Sequence, residues 1–306
     1  MLAAALAVAA CQSPPPFRAP LKLGGVTVSA ATLNDGRAAY LHYCYACHGE
    51  KGDGRGPAAA GMRPPPRDFS TGVFKFAGVA AGELPSDDDL EALIRNGLAG
   101  TPMLAWDISA GERRAIIQYI KTFSPLWTTS GPGDPIKPDS PDPWIGRETE
   151  AIAVGEKIYH LSGVEMDPRT GQARTVLAGC NACHPSYLTP QELTDLSTKV
   201  LQKPAQMRER PNRPALKPSE SIKVGDTMIG FLPTDFLFHR IKNGTGPEAL
   251  FRTIAAGIGG TAMPTWKNSV KDADLWAVVH YVRHLVDLRD TPAGIALRTK
   301  LAAASP

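Results

Sequence analysis

Apolar residues recur at helical spacing in two parts of the chain, around residues 116–120 and 275–286. In the later part four apolar residues share one face of a predicted helix: Leu275, Val279, Val282 and Val286. The earlier part is preceded by Ser109 and Glu112, whose spacing is that of a capping box and predicts a helix start. Outside the N-terminus, no stretch approaches the roughly 18 apolar residues of a membrane span. The pattern therefore predicts short helices separated by loops.

These two helices close two units that follow the same order of features. Each unit opens with a glycine and, four residues later, a tyrosine: Gly36 with Tyr40, and Gly155 with Tyr159. In the middle of each unit, Pro-Arg-Asp-Phe at 66–69 corresponds to Pro-Thr-Asp-Phe at 233–236. Each unit then has a Gly-Thr-x-Met turn, with a tryptophan three residues beyond the methionine. Two copies of one unit are the simplest interpretation.

Proline-rich sequence separates the two units. Six prolines in residues 124–147 argue against a helix and predict a semi-stiff spacer. The predicted boundaries are a signal segment 1–10, a tether 11–31, a first domain 32–123, a linker 124–147, a second domain with insertions 148–288 and a C-terminal tail 289–306.

Composition agrees with two small domains. The chain has 306 residues, of which 43% are hydrophobic and 21% charged, as in ordinary globular proteins. A formal net charge of +3 gives no sign of nucleic-acid binding.

Four of the five cysteines lie in two copies of C-x-x-C-H, the signature of covalent c-type haem attachment. The four are Cys44, Cys47, Cys180 and Cys183, followed by His48 and His184. Two thiols about one helical turn apart can form thioethers with one porphyrin, and the adjacent histidine can ligate its iron. A thioredoxin-like redox pair or half of a zinc site are the alternatives, but neither requires the adjacent histidine twice.

Each unit resembles a class I cytochrome c domain over residues 32–123 and 148–288. The resemblance implies an all-α fold of two tandem domains, with one haem c in each. It also implies that the first and last helices of each domain cross near the haem edge. The crossing residues would be Gly36, Tyr40 and Tyr119 in the first domain, and Gly155, Tyr159 and Tyr281 in the second.

The same resemblance implies that a methionine is the second axial ligand of each iron. Met103 and Met263 occupy the repeated Gly-Thr-x-Met turn, and His/Met ligation raises the reduction potential. In the second domain His160 and His239 remain open as alternatives to Met263. Arg63 and Arg67 are candidates to pair with a haem propionate.

Cys11 follows Val8-Ala9-Ala10, a sequence that resembles a bacterial lipobox. The resemblance predicts a lipid anchor on Cys11 and an exported protein on the periplasmic side of a bacterial membrane. The apolar run is short and has no Lys or Arg before it, so a plain secretory signal is the alternative.

These features predict an electron carrier rather than an enzyme. We expect it to relay electrons between redox partners such as a quinol-oxidising complex, a terminal oxidase or a periplasmic oxidoreductase of a respiratory chain. One alternative is the haem subunit of a larger oxidoreductase. Another is a di-haem cytochrome c peroxidase, which needs one iron open to peroxide.

An insertion in the second unit carries a local excess of positive charge. Seven basic residues lie in this segment: Lys199, Lys203, Arg208, Arg210, Arg213, Lys217 and Lys223. Only Glu209 and Glu220 oppose them, and four prolines predict an extended, exposed segment. A solvated loop is the simpler interpretation, and a surface that steers an acidic partner is the sharper hypothesis.

Overall fold

The computed structural model describes residues 16–166, 173–215, 217–224 and 227–304. Most of the regular structure is helical, in the order α1 Ala30–Tyr43, α2 Tyr45–His48, α3 Asp87–Asn96, α4 Ala110–Lys121, α5 Leu126–Thr129, α6 Glu148–His160, α7 Pro190–Leu201, α8 Pro247–Ala256, α9 Asp272–Leu288 and α10 Pro292–Ala303. Among the described residues, no helix is long and apolar enough to cross a membrane.

Short strands form three antiparallel hairpins. Their strands are β1 Leu21–Leu23 with β2 Val26–Val28, β3 Ser162–Met166 with β4 Ala173–Ala178, and β5 Lys217–Val224 with β6 Thr227–Phe231. The all-α expectation is therefore correct for most of the fold but omitted these hairpins. The second and third hairpins lie in the two insertions that lengthen the second unit.

The first hairpin lies in the segment that the sequence analysis assigned to a tether. Gly24 and Gly25 both have positive φ, as a two-residue hairpin turn requires. Alternation in Leu-Lys-Leu and Val-Thr-Val then buries Leu23 and Val28 in the core of the first half. Residues 21–28 are thus part of the folded first half.

Each half has its own core around a pair of crossing helices. In the first half α1 crosses α4, and α3 packs on α4. In the second half α6 crosses α9, and α8 packs on α9. The capping box predicted at Ser109 and Glu112 is confirmed at the start of α4. The chain therefore builds the same three-helix arrangement twice.

The proline-rich segment 124–147 is bound to both halves. It contains the short helix α5, contrary to the expectation that its prolines exclude helix, and Trp127 of α5 is buried in the first core. Further on, Ile136 N–H donates to Gly78 O (2.7 Å), and Trp144 Nε1–H donates to Ala273 O (2.8 Å). The segment is held in place against both halves.

The residues that we expected to form a C-terminal tail contain helix α10. Thr291 caps it through its side chain, and Pro292 occupies the first turn, where a missing N–H has no cost. Leu301 is buried against the second core. The second half therefore includes a helix that has no counterpart in the first.

Candidate functional site

The first C-x-x-C-H motif lies where α1 meets α2. His48 places Nδ1 3.1 Å from the carbonyl oxygen of Arg67, and its ring stacks on Phe69 with 4.5 Å between ring centroids. Because a carbonyl oxygen only accepts hydrogen bonds, Nδ1 carries the proton and the lone pair remains on Nε2. Burial lowers the pKa of His48, and the nearby positive charge of Arg67 lowers it further. The imidazole is thus neutral, oriented and able to ligate a metal through Nε2.

The second motif reaches the same arrangement from a different local structure. Cys180–Ala182 form a single 3₁₀ turn after the β3–β4 hairpin. His184 Nδ1 lies 2.9 Å from the carbonyl oxygen of Thr234, and its ring stacks on Phe236 with 5.2 Å between centroids. Thr234 and Phe236 correspond to Arg67 and Phe69 in the repeated Pro-x-Asp-Phe sequence. That repeat therefore orients both histidines, a role that the sequence analysis did not recognise.

The thiols are in an environment unlike that of a redox-active pair. Within the described structure, none of the four motif cysteines is in a disulfide. Burial raises the pKa of the Cys44 thiol to about 12, and that of Cys180 likewise to about 12. Catalytic thiols instead have lowered pKa values. In the part of the chain that the structure describes, no three His, Cys, Asp or Glu side chains are grouped to hold a metal ion.

Threonine side chains tie together both methionine turns. Thr101 Oγ1 donates to Leu98 O (2.8 Å) and accepts from Met103 N–H (3.1 Å). Thr261 Oγ1 does the same with Ile258 O (2.8 Å) and Met263 N–H (3.2 Å). The repeated Gly-Thr-x-Met sequence therefore encodes one turn that fixes the backbone of the methionine.

Both motifs and both methionine turns line a single cavity of about 640 Å³. The structure brings together all eight predicted site residues there: Cys44, Cys47, His48, Met103, Cys180, Cys183, His184 and Met263. Most of the remaining wall is apolar, with Phe69, Phe236 and Ile254 among its side chains. Thiols, neutral imidazoles and thioethers around an apolar space fit a covalently attached haem. Cys11 lies outside the described residues.

The alternative candidates for an iron ligand are placed less favourably than Met103 and Met263. His160 uses both ring nitrogens, since Nδ1 donates to Glu156 O (2.9 Å) and Nε2 accepts from Tyr187 N–H (3.1 Å). His239 accepts from Asp235 N–H through Nδ1 (3.1 Å). Neither histidine lines the cavity, whereas Met62 does. Met62 lacks the threonine-tied turn that holds Met103.

Arg208 corrects the expectation that the basic insertion is wholly exposed. Its guanidinium is half-buried and donates to Asn181 O (3.1 Å), His184 O (3.0 Å), Pro211 O (3.1 Å) and Arg213 O (2.8 Å). In the first half, backbone N–H groups donate hydrogen bonds to the corresponding carbonyl oxygens instead. Gly54 N–H, for example, donates to His48 O (2.9 Å). Arg208 thus braces the second attachment loop and is not available for steering a partner. Lys199, Lys203, Arg210 and Arg213 are exposed, whereas the side chains of Lys217 and Lys223 lie outside the described part of the structure.

The fold and this cavity define a cytochrome c-like protein. The family described as cytochrome c oxidase, cbb3-type, subunit III, matches residues 31–120 and 167–282. These segments cover more than half of the chain, one in each half, and the protein belongs to this family. Membership implies c-type haem with iron as its cofactor and electron transfer as its chemistry.

A solved structure shows the same overall arrangement. The chain is similar to a chain from the reducing HAO-like protein complex of Kuenenia stuttgartiensis, with 25% sequence identity and a TM-score of 0.59. The alignment covers 82% of this chain and 96% of that one. No curated protein matches the sequence.

Proposed function

We propose that the chain carries two haem c groups, one in each half, and relays electrons between redox proteins. The observation that carries this proposal is the shared cavity, which two complete sets of Cys, Cys, His and Met line together. Haem iron supplies reversible one-electron transfer when the cofactor is bound. Two such groups enclosed by one protein cavity would form a short internal route between a donor and an acceptor.

The side chains of the cavity suit electron transfer. In each half, Cys thiols would attach the haem, while a neutral histidine and a methionine would ligate its iron. A soft thioether favours the reduced iron and raises its potential. The wall is mostly apolar, and a methionine on each iron would occupy the position that a peroxide needs. We therefore favour an electron carrier over a peroxidase.

A role inside a larger redox assembly is the second candidate. It is favoured by the similarity to a chain of a protein complex whose title describes it as reducing and HAO-like. In that role the internal route would be unchanged and one redox partner would be permanent. Purification of the native protein with its associated chains separates the two candidates.

We further propose that Cys11 anchors the protein on the periplasmic side of a bacterial membrane. Covalent haem attachment and the lipobox-like Val8-Ala9-Ala10-Cys11 support the same export route. Replacing Cys11 by serine should release native protein from membranes with its haem content unchanged. A soluble native protein lacking acyl groups would contradict the anchor.

Haem stoichiometry provides the direct test of the two-haem proposal. The intact mass of the exported protein should exceed that of the same processed chain without haem by two haem groups. The double variant Cys44→Ala, Cys47→Ala should retain one haem, as should Cys180→Ala, Cys183→Ala. Both haems should be low-spin in the oxidised protein, without peroxide turnover. A single haem, or a high-spin haem with rapid peroxide turnover, would refute the proposed function.

A further inference from the structure

Three positively charged side chains line the same cavity as the haem-attachment motifs. Arg67 and Lys75 come from the first half and Lys242 from the second. Lys75 places its ammonium 3.6 Å from the centroid of the Phe231 ring, which also belongs to the second half. Lys242 lies at another contact between the halves, where its carbonyl oxygen accepts a hydrogen bond from Ala99 N–H (3.1 Å). The three charges therefore collect where the two halves meet.

Apart from the contact of Lys75 with the Phe231 ring, these cations have little compensation from the protein. Among the described residues, no carboxylate forms a salt bridge with any of the three. Asp68 attracts Arg67 at longer range, but its carboxylate is engaged by Ser70, which donates to it through both N–H and Oγ. Other lysines of the same chain are paired, such as Lys267 with Asp139 (3.0 Å) and Asp272 (2.8 Å).

The buried setting and the mutual proximity of these groups affect the pKa values of the two lysines. Burial, and then the charges of Arg67 and Lys242, lower the pKa of Lys75 to about 7. Burial likewise lowers the pKa of Lys242. Like charges gathered in a desolvated space repel one another, and an anion placed among them offsets that repulsion.

We propose that Arg67, Lys75 and Lys242 form one carboxylate-binding site that receives haem propionates from both halves of the protein. The inference rests on the proposed attachment of haem to both motifs. Carboxylates are the anionic groups that such haems would carry into an otherwise apolar cavity. A guanidinium and two ammonium groups are suitable donors for them. Because the cations come from both halves, haem binding would also complete the contact between the halves.

The test uses the full-length, haem-loaded protein with ¹³C in the haem carboxyl groups. Infrared spectra should show the labelled carboxylate band, which shifts when a charged hydrogen-bond donor is removed. We expect this band to shift in both Lys75→Met and Lys242→Met, and to stay close to its original position in Lys75→Arg. Lys22→Met and Lys203→Met are matched controls in the two halves, since both lysines are exposed, and they should leave the band unchanged.

The outcomes separate this inference from the proposed function. Labelled bands that coincide in wild type, Lys75→Met and Lys242→Met would overturn the carboxylate site while leaving haem attachment intact. A shift in only one of the two variants would overturn the claim that both halves contribute. If a methionine variant does not accumulate, Lys75→Gln and Lys242→Gln remove the same charge with a polar side chain. Failure to find haem carboxylates in the wild-type protein would instead refute the proposed function.

Discussion

Gly36 of α1 packs directly on the carbonyl oxygen of Ala115 in α4, so closely that a β-carbon at residue 36 would overlap that oxygen. In the second half, Gly155 of α6 has the same relationship to the carbonyl oxygen of Ala277 in α9. The helices therefore cross at backbone-to-backbone contact. Since each first helix leads towards a C-x-x-C-H motif, this crossing positions the cavity wall.

The first prediction is that Gly36→Ala destabilises the first half. The added methyl group forces α1 and α4 apart, and overpacking of this kind costs about 1–3 kcal/mol. Gly111→Ala is the control on α4, because a β-carbon there would meet only Ser109 Oγ at 3.8 Å. That control should be neutral or stabilise the helix by up to about 1 kcal/mol. Urea unfolding of both variants measures the difference, and equal free energies of unfolding would contradict close packing at Gly36.

The crossing was predictable because it depends on residue types that recur at matching places. Gly36, Tyr40 and Tyr119 meet as the resemblance implied, with 5.3 Å between the two tyrosine ring centroids. Tyr159 and Tyr281 repeat the contact at 5.4 Å. The methionine turns could be recognised for the same reason, since Gly and Thr have defined backbone roles in them.

The hairpin at Gly24-Gly25 has a local signal in the sequence, alternating apolar residues around two glycines. The other unpredicted features depend on contacts between distant residues. Arg208 had no such signal, because a guanidinium in a basic, proline-rich run looks like any solvated charge. Its role depends on the folded loop bringing Asn181 and His184 carbonyls within reach. The gathering of Lys75 and Lys242 likewise exists only once the halves pack.

The second prediction concerns Met103, the proposed iron ligand of the first half. Met103→Ala should remove about half of the sulfur-to-iron charge-transfer absorption of the oxidised protein and lower one of two reduction potentials. Met62→Ala is a stringent control, because Met62 lines the same cavity without the threonine-tied turn. It should leave the absorption intact. Loss of the band in Met62→Ala, with retention in Met103→Ala, would reassign the ligand.

The third prediction separates Arg208 from its exposed neighbour. Arg208→Gln removes hydrogen bonds to four carbonyl oxygens and should lower the free energy of unfolding by roughly 2–3 kcal/mol. The spectroscopic signals of the haem in the second half should change, and those of the haem in the first half should not. Arg210 is exposed, so Arg210→Gln should change stability by less than about 0.5 kcal/mol. Similar losses in the two variants would show that Arg208 has no special bracing role.

The last prediction is a pH dependence that originates in His160. This side chain is 4% exposed, and burial lowers its pKa to about 4 while the hydrogen bond to Glu156 O partly opposes the shift. Its Nε2 accepts from Tyr187 N–H, so protonation of the folded protein would break that bond. The unfolded chain binds a proton near pH 6.5, well before the folded protein does.

It follows that the contribution of His160 to stability is complete above about pH 6.5 and is lost as pH falls towards 4. A shift of two to three pKa units corresponds to roughly 3 kcal/mol over that window. His160→Gln removes the titrating group, so the fall in the free energy of unfolding between pH 6.5 and 4 should shrink by about this amount. His42→Gln should retain the full fall, because His42 is exposed. Urea unfolding at several pH values compares the two, and parallel pH profiles for wild type and His160→Gln would rule out His160 as the source.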